Sequence, residues 1–181
     1  MTEPEKNYRE LNGKITTAGA RLIAVTKTHP KERIMELYEL GHRDFGENRV
    51  AELVEKHQAL PKDIRWHFIG HLQRNKVKAI APFVHLIHAV DSKRLLRAID
   101  TQGKALGREL PVLLQFHIAD DTCNYRLAKA SAEPLLSDLT DDPVTHAKIA
   151  CVMRTSTHTY TQTPIPAEVS SPPTRYAAPH N

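Results

Sequence analysis

The feature that most constrains this chain is a pattern that recurs six times between residues 21 and 153. A short apolar run is followed by a turn and then by an amphipathic stretch. The runs cover residues 21–25, 43–46, 65–69, 84–90, 111–118 and 147–153. Their spacing leaves room for a crossover helix and none for hairpins, so the pattern predicts six parallel strands connected by helices.

The segments between the runs carry helix signals. An apolar stripe over residues 34–40 lies between Pro30 and Gly41. Another stripe over residues 95–106 follows two potential capping residues, Asp91 and Ser92. Alternating strands and helices predict an α/β fold. A (β/α) barrel and an open doubly wound sheet both fit, although no Gly-x-Gly-x-x-Gly follows the first strand as a dinucleotide-binding sheet would require.

The composition changes after residue 154. Residues 155–181 hold five of the 12 prolines, many Thr and Ser residues and only two charged side chains, Glu168 and Arg175. Apolar residues there follow neither a helical nor a strand period, so neither element is expected. We predict a partial barrel over residues 1–154 and a disordered Thr/Ser/Pro-rich tail over residues 155–181.

Several classes of protein are disfavoured by the composition. No apolar run approaches the roughly 18 residues that span a bilayer, and the polar N-terminus has no stretch of signal-peptide type. Two cysteines, Cys123 and Cys151, fit a reducing compartment. We therefore expect a cytoplasmic protein with no membrane partner, and its net charge of +4 tolerates anionic ligands without demanding nucleic acid.

Ligand sites in such folds form at the carboxyl ends of the strands, so the residues just after each run are the candidates. Lys27 follows the first strand. A lysine that is partly shielded from water attacks a carbonyl as the neutral amine and forms a Schiff base. The simpler interpretation, which position alone favours, is a strand-terminal lysine that reaches solvent.

The next two strands supply further candidates. Asn48 follows the second strand, where it either donates to a ligand oxygen or caps the next helix, and Glu47 beside it could orient a neighbour or accept a proton. His67 alternates with Trp66 and Phe68 on the third strand. It therefore faces either a ligand in the barrel interior or hydrogen-bonding partners in the core.

A basic cluster, Arg74, Lys76 and Lys78, follows the third strand. Such a run is usually a solvated helix face, and its use for nucleic acid is the less favoured interpretation. The 11 histidines form no His-Glu-x-x-His pattern and the cysteines no Cys-x-x-Cys pattern, so no metal site is predicted.

Taken in order, these segments resemble the YggS/PROSC family of pyridoxal phosphate homeostasis proteins. The resemblance covers roughly residues 8–120. The strings that carry it are residues 24–30 (AVTKTHP), 43–48 (RDFGEN), 65–73 (RWHFIGHLQ), 75–76 (NK), 85–92 (HLIHAVDS) and 111–115 (PVLLQ).

The resemblance implies an alanine racemase-like (β/α) barrel that binds pyridoxal 5′-phosphate. Lys27 matches the family lysine that holds this cofactor as a Schiff base, Asn48 matches a position close to the cofactor ring, and His67 lies on a strand that lines the same barrel. Family members are regarded as carriers or regulators of vitamin B6 pools rather than as enzymes. The implied partners are the cofactor and the pyridoxal-phosphate-dependent apoenzymes that receive it.

The chain also departs from the family. Residues 124–127 read NYRL where the family has a Lys-Phe-Gly-Leu string, and Arg154 stands where the family has glycine. The tail occupies the place of the family's seventh and eighth strands, whose loops hold the cofactor phosphate. We therefore expect an incomplete barrel of six strands, weakened cofactor binding, and self-association through unpaired edges of the first and sixth strands.

Two alternatives remain open at this point. A racemase or decarboxylase on the same barrel would need a second acid or base on the opposite face of the cofactor ring and a complete phosphate site. A nucleic-acid-binding protein would use the basic cluster.

Overall fold

The computed structural model describes residues 3–117, 144–155 and 160–163. The helices are α1 Glu3–Thr17, α2 Lys31–Glu39, α3 Val50–Ala59, α4 Val77–Ile80 and α5 Lys93–Leu106, with a 3₁₀ turn at Arg74–Lys76. The strands are β1 Ala24–Val25, β2 Asp44–Glu47, β3 Arg65–Phe68, β4 Leu86–Val90, β5 Leu110–His117, β6 Ala147–Thr155 and β7 Tyr160–Thr163.

The strands form one sheet in which spatial order follows chain order from β1 to β7. Strands β1 to β6 are parallel, and β7 pairs antiparallel with β6. A doubly wound sheet reverses its strand order at a switch point, whereas here each strand is added on the same side of the strand before it. The structure thus confirms the six predicted strands and shows an incomplete (β/α) barrel.

The helix boundaries follow the local sequence signals. The Ser92 hydroxyl accepts a hydrogen bond from the Leu95 N–H at the start of α5. Gly107 ends α5 in the left-handed conformation with φ 59°, which costs a residue without Cβ little. Helix α2 begins directly after Pro30, as predicted.

The apolar core lies between the sheet and its helices. Side chains that alternate along the strands are wholly or almost wholly buried, and they belong to the same cluster as the apolar faces of α2, α3 and α5. Large members of this cluster include Phe45, Trp66, Phe68 and Ile87 from the strands, with Ile34, Leu53, Leu96 and Ile99 from the helices. Burial of each such side chain contributes about 1.5–3 kcal/mol.

Helix α1 was not predicted from its polar sequence. Glu3 and Glu5 lie in its first turn and Lys14 in its last, which matches the helix dipole. The Tyr8 hydroxyl lies 3.1 Å from Nδ1 of His42, and this contact ties α1 to the segment before β2. None of the helices within the described ranges is both long and apolar enough to cross a membrane.

Two expectations about the end of the chain need correction. Strand β7 lies in the segment where neither helix nor strand was expected, because its backbone pairs with β6 from Tyr160 to Thr163. The sixth strand therefore has a partner on its outer side, and of the two edges predicted to be unpaired only that of β1 remains so among the described strands. Arg154 lies within β6, opposite Phe116 and Thr161. Residues 124–127 lie outside the described residues.

Candidate functional site

The candidate site lies where β1 and β2 end side by side. Val25 pairs with Gly46, and the ladder continues one residue further because the Thr26 N–H donates to the Gly46 carbonyl at 3.0 Å. The Ile69 N–H likewise donates to the Glu47 carbonyl at 2.9 Å. The backbone of Lys27 therefore follows β1 at the same edge of the sheet where Asn48 follows β2.

Lys27 lies in a turn rather than in a continued strand, and its side chain is exposed. The shielding from water that the sequence suggested at this lysine is therefore absent among the described residues, because β1 ends two residues earlier at Val25. An exposed amine is open to a ligand from solution. Its backbone, by contrast, is held on both sides.

Lys56, on α3, holds the residue before Lys27. Its ammonium donates to the Thr26 carbonyl at 2.8 Å, to Glu47 Oε1 at 2.7 Å and to Glu52 Oε1 at 2.7 Å. These three bonds use all three ammonium protons. The Lys56 side chain is only 5% exposed, so the bonds replace the water that burial removes.

Glu47 completes the contact with Thr26 from the sheet. Its side chain is fully buried, and Oε1 accepts a hydrogen bond from the Thr26 hydroxyl at 2.6 Å in addition to the bond from Lys56. Oε2 has no hydrogen-bond partner in the part of the chain that the structure describes. Of the two roles that the sequence offered for Glu47, orientation of a neighbour is the one that this geometry supports.

Glu52 holds the residue after Lys27. Its Oε1 accepts from the Thr28 N–H at 2.8 Å as well as from Lys56. The hydrogen bond from Lys56 lowers the pKa of Glu52, so this carboxylate keeps its charge under mildly acidic conditions. Thr28 has φ 65° and is the one non-glycine residue with positive φ in the described ranges. A β-branched residue in this conformation is strained, and such strain persists only where neighbours hold it.

Asn48 is half-buried and does not cap α3. The cap position of that helix is Arg49, which makes no side-chain capping bond, so the capping interpretation is wrong. The loop after β3 approaches Asn48 closely: a Cβ placed on Gly70 would lie 2.8 Å from the Asn48 carbonyl carbon and closer still to its oxygen. The missing side chain at position 70 thus lets the two strand-end loops pack together.

His67 is buried and hydrogen-bonded at both ring nitrogens. Nε2 lies 3.0 Å from Asp44 Oδ1, and Nδ1 lies 3.0 Å from Nε2 of His88. Arg65 donates two bonds to the same carboxylate, at 2.8 and 2.6 Å. Although burial acts to raise the pKa of Asp44, the bonds from His67 and Arg65 hold it well below its ordinary range. This is the core-histidine arrangement, and a cofactor role for His67 stays a prediction.

His85 lies close to the Asp44–His67 pair. The possible ligand atoms of Asp44, His67 and His85 lie within 4.8 Å of one another. The sequence patterns did not predict this proximity. Both Asp44 oxygens already accept from Arg65, and the Arg21 guanidinium lies 3.8 Å from Oδ1. These positive groups oppose a cation, so the cluster is better described as an ion-pair network.

Two further features of the described residues are the basic cluster and a cavity. Arg74, Lys76 and Lys78 are exposed on the 3₁₀ turn and α4, as expected for a solvated face. A cavity of about 250 Å³ opens at the amino ends of the strands, between α1 and the first residues of β2 and β3. In barrels that end of the sheet contributes to stability, whereas chemistry occurs at the carboxyl ends.

Lys56 and Glu52 were missed by sequence reasoning. Their four-residue separation on α3 is a sequence signal for a pair on one helix face. It does not reveal that the pair points to the sheet, because that depends on how α3 packs against β2.

Comparison with known proteins gives consistent matches. Residues 3–126 match the family model described as alanine racemase, N-terminal domain. The chain is 39% identical over 102 residues to the pyridoxal phosphate homeostasis protein of Schizosaccharomyces pombe, covering 55% of this chain and 43% of that protein. It is 31% identical over 156 residues to the Escherichia coli K12 protein of the same name, covering 79% and 67%.

Solved structures of PipY from Synechococcus elongatus PCC7942 have a similar fold. The structure without pyridoxal phosphate shares 32% identity, with a TM-score of 0.73 over 83% of this chain and 69% of PipY. The structure with pyridoxal phosphate bound shares 30% identity, with a TM-score of 0.70 over 84% and 70%.

The chain spans about half the length of curated relatives such as the S. pombe protein. The family model nevertheless matches most of it, through the strands and loops that build the candidate site. This chain therefore belongs to the alanine racemase N-terminal domain family.

Proposed function

We propose that this chain binds pyridoxal phosphate, holds it covalently on Lys27, and serves in the homeostasis of this cofactor. The observation that carries the proposal is the exposed Lys27 side chain, whose flanking residues are both held: Thr26 by the buried Glu47 carboxylate and Lys56 ammonium, and Thr28 by the partly buried Glu52 carboxylate. The relatives named as pyridoxal phosphate homeostasis proteins and the PipY structure with pyridoxal phosphate bound support it.

The side chains at this edge of the sheet fit the aldehyde end and ring of such a ligand. Pyridoxal phosphate supplies an aldehyde, with which a primary amine condenses to form a C=N bond with loss of one water molecule. Lys27 offers that amine at the carboxyl end of β1. The half-buried Asn48, at the same edge of the sheet, has an amide that can donate to a polar group of the ring, and the Gly70 backbone packs closely against the Asn48 backbone.

We further propose the partners that such a role requires. Apoenzymes that use pyridoxal phosphate would receive the cofactor, in the cytoplasm, where the two cysteines stay reduced.

A second copy of the chain could pair along β1, which among the described strands has β2 as its only neighbour. Light scattering at several protein concentrations tests this association.

An absorbance titration with pyridoxal phosphate tests the proposed function. The wild-type protein should develop the visible band of the cofactor bound to an amine, and Lys27→Ala should lose it. Lys78→Ala is the matched control, because Lys78 is an exposed lysine on another element, α4. An unchanged band in Lys27→Ala would refute covalent binding at this residue.

A further inference from the structure

The turn that carries Lys27 is attached to the protein core by charged side chains. Thr26 is held at three atoms: its N–H by the Gly46 carbonyl, its hydroxyl by Glu47 and its carbonyl by Lys56. Its carbonyl also accepts from the His29 N–H at 3.0 Å, which closes the turn. One residue beyond Lys27, the Thr28 N–H is held by Glu52.

These bonds converge on a single ammonium group. Lys56 contacts Thr26, Glu47 and Glu52 at 2.7 to 2.8 Å, so the restraints on both sides of Lys27 share one partner. Charge-assisted hydrogen bonds of this length are roughly twice as strong as neutral ones. A buried charge pair is not needed to stabilise a fold, and apolar residues of similar size commonly serve as well or better. This pair instead fixes the geometry of one loop.

The backbone of Thr28 is strained by the shape of this turn. Its φ of 65° lies in the left-handed region, which a threonine in a free chain disfavours. The bond from its N–H to the Glu52 carboxylate is available in this conformation and offsets part of the strain. The turn is therefore held in a shape that it would not adopt alone.

We propose that Glu47, Glu52 and Lys56 are positioning residues that hold the Thr26–Thr28 turn in its strained shape and so present the Lys27 amine to a carbonyl ligand. The inference rests on the proposed function, since it assigns the purpose of the restraint to covalent capture at Lys27. It adds three residues that act on the amine through the backbone of the turn and so set how fast the amine reacts.

Glu52→Ala is the primary test, because the Glu52 side chain is only partly buried and its loss leaves the Glu47–Lys56 pair intact. The rate of pyridoxal phosphate addition to Lys27, measured by borohydride quenching and peptide mass spectrometry, should fall about tenfold, because the turn loses its charge-assisted bond from the Thr28 N–H to Glu52. Adducts at the exposed Lys78 should be unchanged. Glu55→Ala is the matched control, because Glu55 lies on the same helix and pairs with Lys31 at the surface.

A second readout needs no cofactor. Hydrogen exchange of the Thr28 amide, followed by NMR, should accelerate about tenfold in Glu52→Ala and stay unchanged in Glu55→Ala. Glu52→Gln, whose amide oxygen can still accept from Thr28, should fall between wild type and Glu52→Ala. Adding Thr28→Gly to Glu52→Ala should restore part of the Lys27 rate, since glycine adopts positive φ freely.

The outcomes separate the two claims. If Lys27 of the wild type reacts no faster than Lys78, the proposed function is refuted, and the exchange of the Thr28 amide alone decides whether Glu52 holds the turn. If Lys27 reacts preferentially but Glu52→Ala changes neither its rate nor the Thr28 exchange, the positioning role is refuted and the proposed function stands.

Discussion

The Lys56 ammonium lies 2.7 Å from the Glu47 carboxylate, and both side chains are almost completely removed from water, at 5% and 0% exposure. Removing two charges from water costs several kcal/mol per ion, which their attraction offsets only when the remaining protons and lone pairs are satisfied. Here the satisfaction of Lys56 depends on the Thr26 carbonyl, one residue before Lys27. The stability of the pair and the shape of the turn are therefore coupled.

Removing one member of the pair should be more damaging than removing both. Lys56→Met leaves a buried, unpaired Glu47 carboxylate and should lower the free energy of unfolding by about 3–5 kcal/mol. Glu47→Leu combined with Lys56→Met should recover a large part of that loss, because no buried charge remains. Urea unfolding of the wild type, Lys56→Met, Glu47→Leu and the double variant gives the four free energies of unfolding that a double-mutant cycle needs. Additive losses in the double variant would contradict the coupling.

Acid should destabilise the protein through His88. Burial is the main cause that lowers the pKa of His88 to about 4 from 6.5, and the electrostatic effect of neighbouring His67 acts in the same direction. Below pH 6.5 the unfolded chain therefore binds a proton that the folded chain takes up only near pH 4. Stability should fall with decreasing pH across that window, by up to about 1.4 kcal/mol per pH unit for this group. Half-buried His85, with a pKa lowered to about 4, acts in the same direction.

The urea midpoint at pH 7 and at pH 5 measures this effect. His88→Gln keeps a donor for His67 but has no proton to gain, so its midpoint should depend less on pH than that of the wild type. Equal pH dependence in the two proteins would show that His88 is not the group responsible.

Gly70→Ala should disturb the site without touching Lys27. The added Cβ would meet the Asn48 backbone well inside van der Waals contact, so one of the two loops has to move. We expect destabilisation of about 1–3 kcal/mol, as for overpacked positions, together with weaker binding of pyridoxal phosphate. Gly13→Ala is the matched control: Gly13 lies on α1 with nothing within 4 Å of a Cβ, so alanine should stabilise the helix by about 0.5–1 kcal/mol. Thermal unfolding of both variants distinguishes the two effects.

The parallel sheet could be predicted from sequence because its strands are short apolar runs with helical intervals. The runs at residues 43–46 and 65–69 correspond to β2 and β3 within one residue at each end. Strand β7 could not be predicted, because residues 160–163 have no apolar pattern and form a strand only through backbone pairing with β6. Helix α1 was missed for a related reason, since its polar sequence lacks a wide apolar stripe and Tyr8 carries its contact to His42.

Only part of the site could be predicted from sequence. Lys27 and Asn48 follow strands, and ligand sites in parallel sheets form at the carboxyl ends of the strands. The structure places both residues at the same edge of the sheet. The rule says nothing about Lys56, which lies in mid-helix and reaches Thr26 across 30 positions of sequence. The rule also does not decide whether His67 faces a ligand or bonds to Asp44 and His88. Either role places the His67 side chain on the same face of the strand.

Covalent binding of pyridoxal phosphate at Lys27 is tested by borohydride reduction of the wild-type protein after incubation with the cofactor, followed by peptide mass spectrometry. Reduction converts the C=N bond to a stable C–N bond and so records which amine the cofactor occupied. We expect one pyridoxyl group on Lys27 at low cofactor concentration, with other lysines, including Lys78, modified only at much higher concentration. Modification spread evenly over the exposed lysines, with no preference for Lys27, would contradict this expectation.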